Sequence, residues 1–317
     1  MANSKGKLIS IVVSVFNEDL NLKELDLQIA ENLVNYNYEL IYVNDGSTDN
    51  SLSVLKSIQH KNSRVRIVNL LKNFGHEIAM TAGMYYTKGD CVIFMDADLQ
   101  HPPKLLPQLI EKWHEGFEIV STRRIVNEGQ SIFHQGVAKS YYYILNSLTD
   151  FKIPAQTPDF RLIDKKYIEV LKLFKEQKRM FRGLVSWLNI KNQITVDFEA
   201  PKRYAGKSKY GFRHLLGLSF DSIISFSIKP LRMAILIGLF AALISLILGV
   251  VFVYDFLTNP DYEFTGYGTT IVMVIFIGSV QLIFLGIIGE YIGRIHLEVK
   301  NRPLFVAELI ERENDEP

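Results

Sequence analysis

Short apolar runs alternate with longer segments of mixed polarity along the first 121 residues. The runs are five to seven residues long, and they predict buried strands at 8–14, 39–43, 66–70, 91–95 and 117–121. The segments between them have the length and polarity of helices and end near residues 36, 59, 86 and 114. Strands and helices that alternate in this way predict an α/β fold with right-handed crossovers and a largely parallel sheet.

The pattern is less regular between residues 125 and 228. We expect a helix at 130–148, a short strand within 158–164, helical pieces at 169–175 and 182–188, and a strand at 193–198. The last strand is expected to be antiparallel or to lie at a sheet edge. A basic loop follows at 201–210, and the apolar segment at 212–228 fits either a helix in the membrane interface or a buried helix of a soluble domain.

Two long apolar segments come next, Met233–Tyr254 and Thr269–Gly289, and neither contains a charged residue. Since roughly 20 apolar residues cross a bilayer, each segment predicts a transmembrane helix. The alternative is a helical hairpin buried inside a soluble protein.

Charges beside these two segments predict their orientation. The connecting loop contains Asp255, Asp261 and Glu263 but no Lys or Arg, whereas the outer ends of both segments are basic. The positive-inside rule therefore predicts that the loop is external and that both termini are cytosolic. Small residues also permit helix contacts, within one chain or in a homo-oligomer; they are Ala241, Ser245, Gly249, Gly289 and Gly293.

Net charge, cysteine content and the N-terminal residues bear on the binding partners and the location of the protein. The 317 residues carry a net charge of +1, which gives no indication of nucleic-acid binding. The single cysteine, Cys91, begins a predicted strand, so no disulfide can form within the chain. The N-terminal residues lack the apolar core of a signal peptide, which favours a cytosolic location for the predicted sheet.

Polar side chains stand at the carboxyl end of every strand of the alternating region. Because the carboxyl ends of parallel strands meet at one edge of a sheet, where such folds bind ligands, we expect one assembled site. The residues concerned are Asn17, Glu18, Asp45, Asn73, Asp96, Asp98, Arg123 and Arg124.

The best candidate for a metal site follows the strand at 91–95. Asp96, Asp98 and Gln100 alternate along the chain, and they would point to one side if the extended geometry continued. Carboxylate and amide oxygens suit Mg²⁺ or Mn²⁺. The alternative, common for a bare Asp-x-Asp, is that Asp96 caps the next helix and Asp98 lies in a solvated loop.

Four segments, taken in order, resemble the inverting GT-A glycosyltransferases of family 2. Within that family the chain is similar to the polyprenyl-phosphate glycosyltransferases, which include dolichol-phosphate mannose synthases and the bactoprenol glucosyltransferases of the GtrB type. The tail with two spans is like the GtrB type, whereas His76 and His101 depart from the residues of many relatives. The four segments are Ser14–Glu18, Val43–Asp49, Asn73–Glu77 and Asp96–Pro103.

The resemblance implies a Rossmann-like GT-A domain with a mostly parallel sheet, followed by an interfacial helical segment and two transmembrane helices. The expected layout is a cytosolic GT-A domain at 1–210, a juxtamembrane segment at 211–232, spans at 233–254 and 269–293, an external loop at 255–268 and a cytosolic tail at 294–317.

The resemblance also implies roles for individual residues. Mg²⁺ or Mn²⁺ would be bound by Asp96, Asp98 and Gln100. The nucleotide sugar would be held by Phe16, Glu18, Asp45 and Asp96, and the acceptor phosphate by Arg203, Ser208 and Lys209. The catalytic residues implied are Asp159, Asp98 and Arg203.

The reaction implied is inverting transfer of glucose from UDP-glucose to the phosphate of undecaprenyl phosphate at the cytosolic membrane face. GDP-mannose or a modified UDP-sugar as donor is an alternative, as is a catalytically silent membrane scaffold or a lipid-translocation partner. A processive polysaccharide synthase is disfavoured, because the chain lacks a Gln-x-x-Arg-Trp motif.

Overall fold

The computed structural model describes residues 6–125, 147, 157–177, 179–199, 201, 229–258 and 266–310. The chain divides into two compact units. One comprises Met1–Asn146, Phe151–Leu215 and Pro303–Pro317, and the other comprises Ser147–Asp150 and Leu216–Arg302.

The first unit contains one mixed sheet, which has eight strands within the described residues. In chain order they are β1 (Ile9–Val15), β2 (Tyr38–Asn44), β3 (Val65–Leu70), β4 (Cys91–Asp96), β5 (Ile119–Ile125), β6 (Arg161–Asp164), β7 (Gln193–Glu199) and β8 (Ala307–Ile310). Across the sheet the order is β7-β5-β6-β4-β1-β2-β3-β8.

Helices connect these strands, and two longer helices form most of the second unit. In chain order they are α1 (Leu22–Asn32), α2 (Ser51–Lys61), α3 (His76–Tyr85), α4 (Leu106–His114), α5 (Lys165–Lys172), α6 (Phe181–Trp187), α7 (Lys229–Thr258) and α8 (Tyr267–Val299).

The centre of the sheet is parallel, as the sequence predicts. Strands β3, β2, β1 and β4 are neighbours and run in the same direction. Every residue of β2 is buried, and β1 and β4 are buried along nearly their whole length. Strands covered on both faces are continuous apolar runs, which explains why the sequence pattern located them. Cys91 lies buried at the start of β4.

The short strand β6 is inserted between β4 and β5 and runs antiparallel to both. Its register pairs Arg161 with Phe94, so the residues just before β6 lie near the carboxyl end of β4. The topology therefore brings Asp159 towards Asp96. The strand predicted at 193–198 is β7, which lies at the sheet edge as expected and is parallel to β5.

The C-terminal strand β8 closes the opposite edge and was not expected from the sequence. It runs antiparallel to β3, with Leu70 paired to Ala307. Gln59 on α2 donates a side-chain hydrogen bond to the carbonyl of Ile310 at 2.9 Å. The chain that follows α8 thus returns to the sheet formed by the N-terminal residues.

Helices α7 and α8 contain the two segments predicted to span a membrane. Candidate spans run from Leu231 to Val251 and from Met273 to Val299, and none of the residues in their most apolar windows is buried. In a soluble protein these exposed apolar side chains would face water, which is unfavourable over so large a surface. Their exposure therefore argues against the alternative of a hairpin buried inside a soluble protein. The helix expected at 130–148 and the loop at 201–210 lie outside the described residues, apart from residues 147 and 201.

Candidate active site

The loops after β1 and β2 are joined by hydrogen bonds at the carboxyl edge of the sheet. The amide of Asn17 donates to Ser47 Oγ at 3.0 Å, and Asn17 Oδ1 accepts from the amide of Thr48 at 2.8 Å. The amide of Glu18 donates to Ser51 Oγ at 3.0 Å. These bonds hold Phe16 and Glu18, both partly exposed, beside the end of β2.

Asp45 follows β2 and is buried. Its Oδ1 accepts a hydrogen bond from the amide of Phe74 at 2.7 Å, and its Oδ2 accepts one from the amide of Gly75 at 2.9 Å. Burial raises the pKa of the Asp45 carboxyl, and the two amides partly offset that effect. Gly75 has φ of 94°, a conformation that favours glycine, and it directs the chain into α3. Asp45 therefore anchors the loop at 73–75, in addition to any contact with a ligand.

Asp96 is the last residue of β4, and two histidines lie beside its carboxylate. Its Oδ1 is 3.5 Å from His76 Nε2, and its Oδ2 is 3.7 Å from His101 Nδ1. The second contact is not an ion pair, because His101 Nδ1 accepts the backbone N–H of Asp96 at 3.0 Å and so carries no proton. The buried ring of His101 stacks on Phe160, with centroids 5.0 Å apart.

The chain turns directly after Asp96, so the extended geometry assumed for the metal ligands is wrong. Leu99 adopts a left-handed conformation with φ of 61°, and the amide of Gln100 donates to Asp98 Oδ1 at 3.0 Å. Ala97 and Leu99 are buried, whereas Asp98 and Gln100 are partly exposed. A turn, and not strand alternation, therefore presents these two polar side chains. The alternative role of Asp96 as a helix cap is also wrong, because the next helical turn begins at Pro103.

The acidic residues of this turn fit a hard cation. Within the described residues no three His, Cys, Asp or Glu side chains are grouped as a metal site. Asp96 Oδ1 is nevertheless enclosed and accepts no hydrogen bond. A carboxylate oxygen that accepts no hydrogen bond, with a second carboxylate two residues later in the turn, suits Mg²⁺ or Mn²⁺ when the ligand supplies the remaining oxygens.

Asp159 precedes β6 and is 5% exposed, with both oxygens directed at cations. Arg182 Nη2 donates to its Oδ2 at 3.0 Å, and Arg161 Nη2 lies 3.5 Å from its Oδ1. Burial alone would raise the pKa of this carboxyl, but the charges of Arg182, Arg161 and His76 outweigh burial and lower it. Asp159 is consequently an ionised group at neutral pH. Neither arginine is a candidate from the sequence, although Arg161 lies only two residues after Asp159.

His76 occupies the space between the two carboxylates. Its Nδ1 hydrogen-bonds with Ser14 Oγ at 2.9 Å, and its Nε2 lies 3.5 Å from Asp96 Oδ1 and 3.9 Å from Asp159 Oδ2. Burial lowers the pKa of His76, but the charges of Asp96, Asp159 and Glu77 together raise it by more, so the net shift is upward. His76 was singled out only as a departure from relatives, and the structure brings it to the middle of the site.

Glu77 ends one of the four motif segments, but the sequence indicates no role for it. Its Oε2 accepts the backbone N–H of Phe181 at 2.6 Å. Burial, and next the charge of Asp159, raise the pKa of Glu77 to about 7.

The remaining predicted residues named here either form other contacts or lie outside the described part of the chain. Arg123 is exposed on β5 and forms a bidentate ion pair with Asp197 of the edge strand β7, at 2.7 Å and 2.8 Å. The acceptor-phosphate residues implied by the resemblance all fall outside the described residues; they are Arg203, Ser208 and Lys209.

The sequence matches known families in both units. Residues 10–172 match glycosyl transferase family 2, and residues 229–295 match the GtrB C-terminal hairpin. This chain belongs to glycosyl transferase family 2. The family predicted from the four motifs is therefore confirmed, and so is the GtrB-type tail.

Relatives of nearly equal length agree with this assignment. The uncharacterized glycosyltransferase YkcC of Bacillus subtilis is 41% identical over 306 residues, which cover 94% of this chain and 93% of that protein. The SfII prophage-derived bactoprenol glucosyl transferase of Shigella flexneri is 36% identical over 310 residues, which cover 96% and 99%.

A solved glycosyltransferase shares the fold of the sheet unit. Glucosyl-3-phosphoglycerate synthase of Mycobacterium tuberculosis, in complex with phosphoglyceric acid, superposes with a TM-score of 0.52 at 19% identity. The alignment covers 70% of this chain and 80% of that protein. The predicted GT-A-like α/β fold is confirmed.

Proposed function

We propose that this glycosyltransferase transfers glucose from UDP-glucose to the phosphate of a polyprenyl lipid such as undecaprenyl phosphate, with inversion at the sugar. One observation carries the proposal. A carboxylate-lined site at the edge of a GT-A sheet shares a chain with a hairpin of exposed apolar helices. Proteins named bactoprenol glucosyl transferase resemble both parts over nearly their full length, at 33–36% identity.

The nucleotide sugar would lie across the joined loops at the carboxyl edge of the sheet. Phe16 would contact the base, and Glu18 and Asp45 would receive hydrogen bonds from the base and ribose. Asp96, Asp98 and Gln100 would hold Mg²⁺ or Mn²⁺, which supplies positive charge to the departing diphosphate. These roles agree with the exposure of Phe16, Glu18 and Asp98, whereas Asp45 has to serve a ligand and the loop at 73–75 together.

Asp159 would orient and stabilise the reacting sugar instead of acting as a base. The acceptor is a phosphate monoester, whose second pKa is near 6, so its oxygen is mostly ionised at neutral pH and needs no proton removed. A carboxylate with a lowered pKa and two arginine partners is also a weak base. Its negative charge suits the positive charge that develops on a sugar during transfer.

The acceptor phosphate would contact the basic segment that contains Arg203, Ser208 and Lys209. A lipid phosphate stays at the level of the membrane headgroups, so an enzyme that uses it has to be held at the surface. Two spans hold the domain there, and each cation near anionic lipid adds roughly 1 kcal/mol of attraction.

Both ends of the hairpin would be on the cytosolic side. The chain that leaves α8 re-enters the sheet as β8, so the two ends of the hairpin connect to the same unit. Two spans return the chain to the side of the membrane on which it began, as this connection requires. The basic flanks favour the cytosolic side for that unit. The boundaries of the spans and the homo-oligomer permitted by the small residues stay predictions.

The test is a donor panel with the full-length protein in detergent or nanodiscs. Release of UDP or GDP is measured for UDP-glucose, modified UDP-sugars and GDP-mannose, each with and without undecaprenyl phosphate. We expect UDP release from UDP-glucose that depends on the lipid. No lipid-dependent release with any donor, in Mg²⁺ and in Mn²⁺, would favour the silent scaffold instead.

A further inference from the structure

Glu77 forms a contact that links two distant parts of the site. It lies in the first turn of α3, directly after His76, and its Oε2 accepts the amide of Phe181 at 2.6 Å. Phe181 is the first residue of α6, and Met180 before it provides no side-chain cap. Because the first amides of a helix lack partners within the helix, Glu77 supplies an acceptor that α6 does not provide itself.

The residue after Phe181 reaches the reacting centre. Arg182 donates to Asp159 Oδ2 at 3.0 Å, so the backbone that Glu77 holds also carries the guanidinium that binds Asp159. On the other side, His76 Nε2 lies 3.9 Å from the same oxygen of Asp159. His76 thus lies directly beside Asp159, and Glu77, the next residue of α3, is linked to Asp159 through α6.

The location of Glu77 is electrostatically unfavourable for a simple helix cap. Burial and the nearby Asp159 carboxylate both oppose its ionisation, while His76 and Arg182 favour it. The feature that links Glu77 to α6 is its accepting oxygen, which reaches the amide of Phe181 from another helix. The inference therefore depends on this contact and not on the charge of the carboxyl.

We propose that Glu77 is a positioning residue for glycosyl transfer: by holding the amide of Phe181 it fixes Arg182 against Asp159. This inference rests on the proposed function. Asp159 would be held in one orientation relative to the sugar, and loss of Glu77 would let α6 shift and misplace the Arg182–Asp159 pair. Misplacement by about 1 Å can cost up to ~100-fold in rate.

The experiment compares Glu77→Ala with Glu77→Gln in the full-length protein. The amide oxygen of Gln still accepts from Phe181, whereas Ala cannot. Glu169→Ala is the matched control, because Glu169 is an exposed residue of α5 that pairs with Lys172 at 2.8 Å. Two quantities are measured: hydrogen exchange of the peptide spanning 179–187, and kcat and KM for UDP-glucose with undecaprenyl phosphate.

We expect Glu77→Ala to speed exchange at the start of α6 and to lower kcat by about 10- to 100-fold, with the KM for UDP-glucose changed by less than about threefold. Glu77→Gln and Glu169→Ala should keep slow exchange and stay within about threefold of the wild-type kcat. Rescue by Gln also shows that the Ala effect is not a failure to fold.

Three results would overturn the inference. The first is faster exchange in Glu77→Ala with unchanged kcat, since Glu77 would then be a helix cap only. The second is a loss of kcat in Glu77→Gln despite slow exchange, because the charge and not the contact would then matter. The third is an inactive wild type, which would remove the proposed function as well; the first two leave that function intact.

Discussion

Arg182 donates a hydrogen bond to Asp159 Oδ2 at 3.0 Å, and this pair joins α6 to the segment before β6. Arg161, which is 3% exposed, lies 3.5 Å from the other oxygen of Asp159. Two cations thus depend on one buried carboxylate. Removing one member of such a cluster leaves buried charge uncompensated, at a cost of about 3 kcal/mol.

Asp159→Asn should therefore lose both stability and activity. In the proposed role the carboxylate orients the sugar, and its lowered pKa keeps it ionised from pH 6 to pH 9; we therefore expect a fall in kcat of at least ~100-fold that is the same across that range. A pH–rate profile with UDP-glucose checks this. Asp197→Asn, which removes the exposed partner of Arg123, is the control. A loss confined to acidic pH would instead assign Asp159 as a general base.

Glu77 should make stability depend on pH. The pKa of Glu77 is about 7 in the folded chain against an ordinary value of 4.5, so its stabilising contribution is full below pH 4.5 and is lost as the pH rises through about 7. Glu77→Gln does not ionise. We expect Glu77→Gln to have a higher free energy of unfolding than the wild type at pH 8. The advantage of the variant over the wild type should be about 2 to 3 kcal/mol larger at pH 8 than at pH 5.

Thermal unfolding in detergent, followed by tryptophan fluorescence at pH 5 and pH 8, measures that difference. Glu169→Gln should melt like the wild type at both pH values. Equal melting temperatures for Glu77→Gln and the wild type at pH 8 would mean that the Glu77 carboxylate is not held in an unfavourable environment.

The acidic turn after β4 should make activity depend on a divalent cation. We expect a chelator to abolish lipid-dependent UDP release, and Mg²⁺ or Mn²⁺ to restore it. Asp96→Asn and Asp98→Asn should each lower kcat/KM by ~100-fold or more, since one ligand of the cation is lost. Isothermal titration calorimetry with Mn²⁺, in the presence of UDP, measures the affinity for the cation without requiring turnover. An Asp96→Asn variant that transfers glucose at the wild-type rate in chelator would contradict this role.

The orientation of the hairpin is testable because the chain has one cysteine. Cys91 is buried, so a membrane-impermeant maleimide should label introduced cysteines only. In intact cells we expect Asp261→Cys to be labelled from outside, because it lies in the loop between the spans. Asp315→Cys, after β8, should react only once the membrane is permeabilised. Labelling of both variants in intact cells would contradict a cytosolic tail.

The parallel centre of the fold could be predicted because the relevant signal is local. Strands buried on both faces, such as β2, consist of apolar runs that are legible without knowledge of their neighbours. A short strand was expected where β6 lies, but its place between β4 and β5 was not, and β8 was not expected at all. Both strands have four residues, and their partners are distant in sequence. Pairing of β8 with β3 depends on the path of the chain after α8, and no local pattern encodes that path.

A candidate site could be outlined from the sequence as far as its motifs extend. Its motifs name Asp96, Asp98 and Asp159 as candidates, but they suggest an extended chain after β4, and the left-handed Leu99 replaces it with a turn. A left-handed leucine is uncommon, so nothing in its identity predicts the turn. Arg182 and Glu77 were missed because their roles arise only when α3, α6 and β6 meet in three dimensions.

The most direct test of the account is the identity of the product. Purified protein is incubated with UDP-glucose, undecaprenyl phosphate and Mg²⁺, and the lipid fraction is analysed by mass spectrometry and NMR. We predict glucosyl phosphoryl undecaprenol with the anomeric configuration inverted relative to the donor. Consumption of UDP-glucose that yields only free glucose, or a lipid with retained configuration, would contradict it.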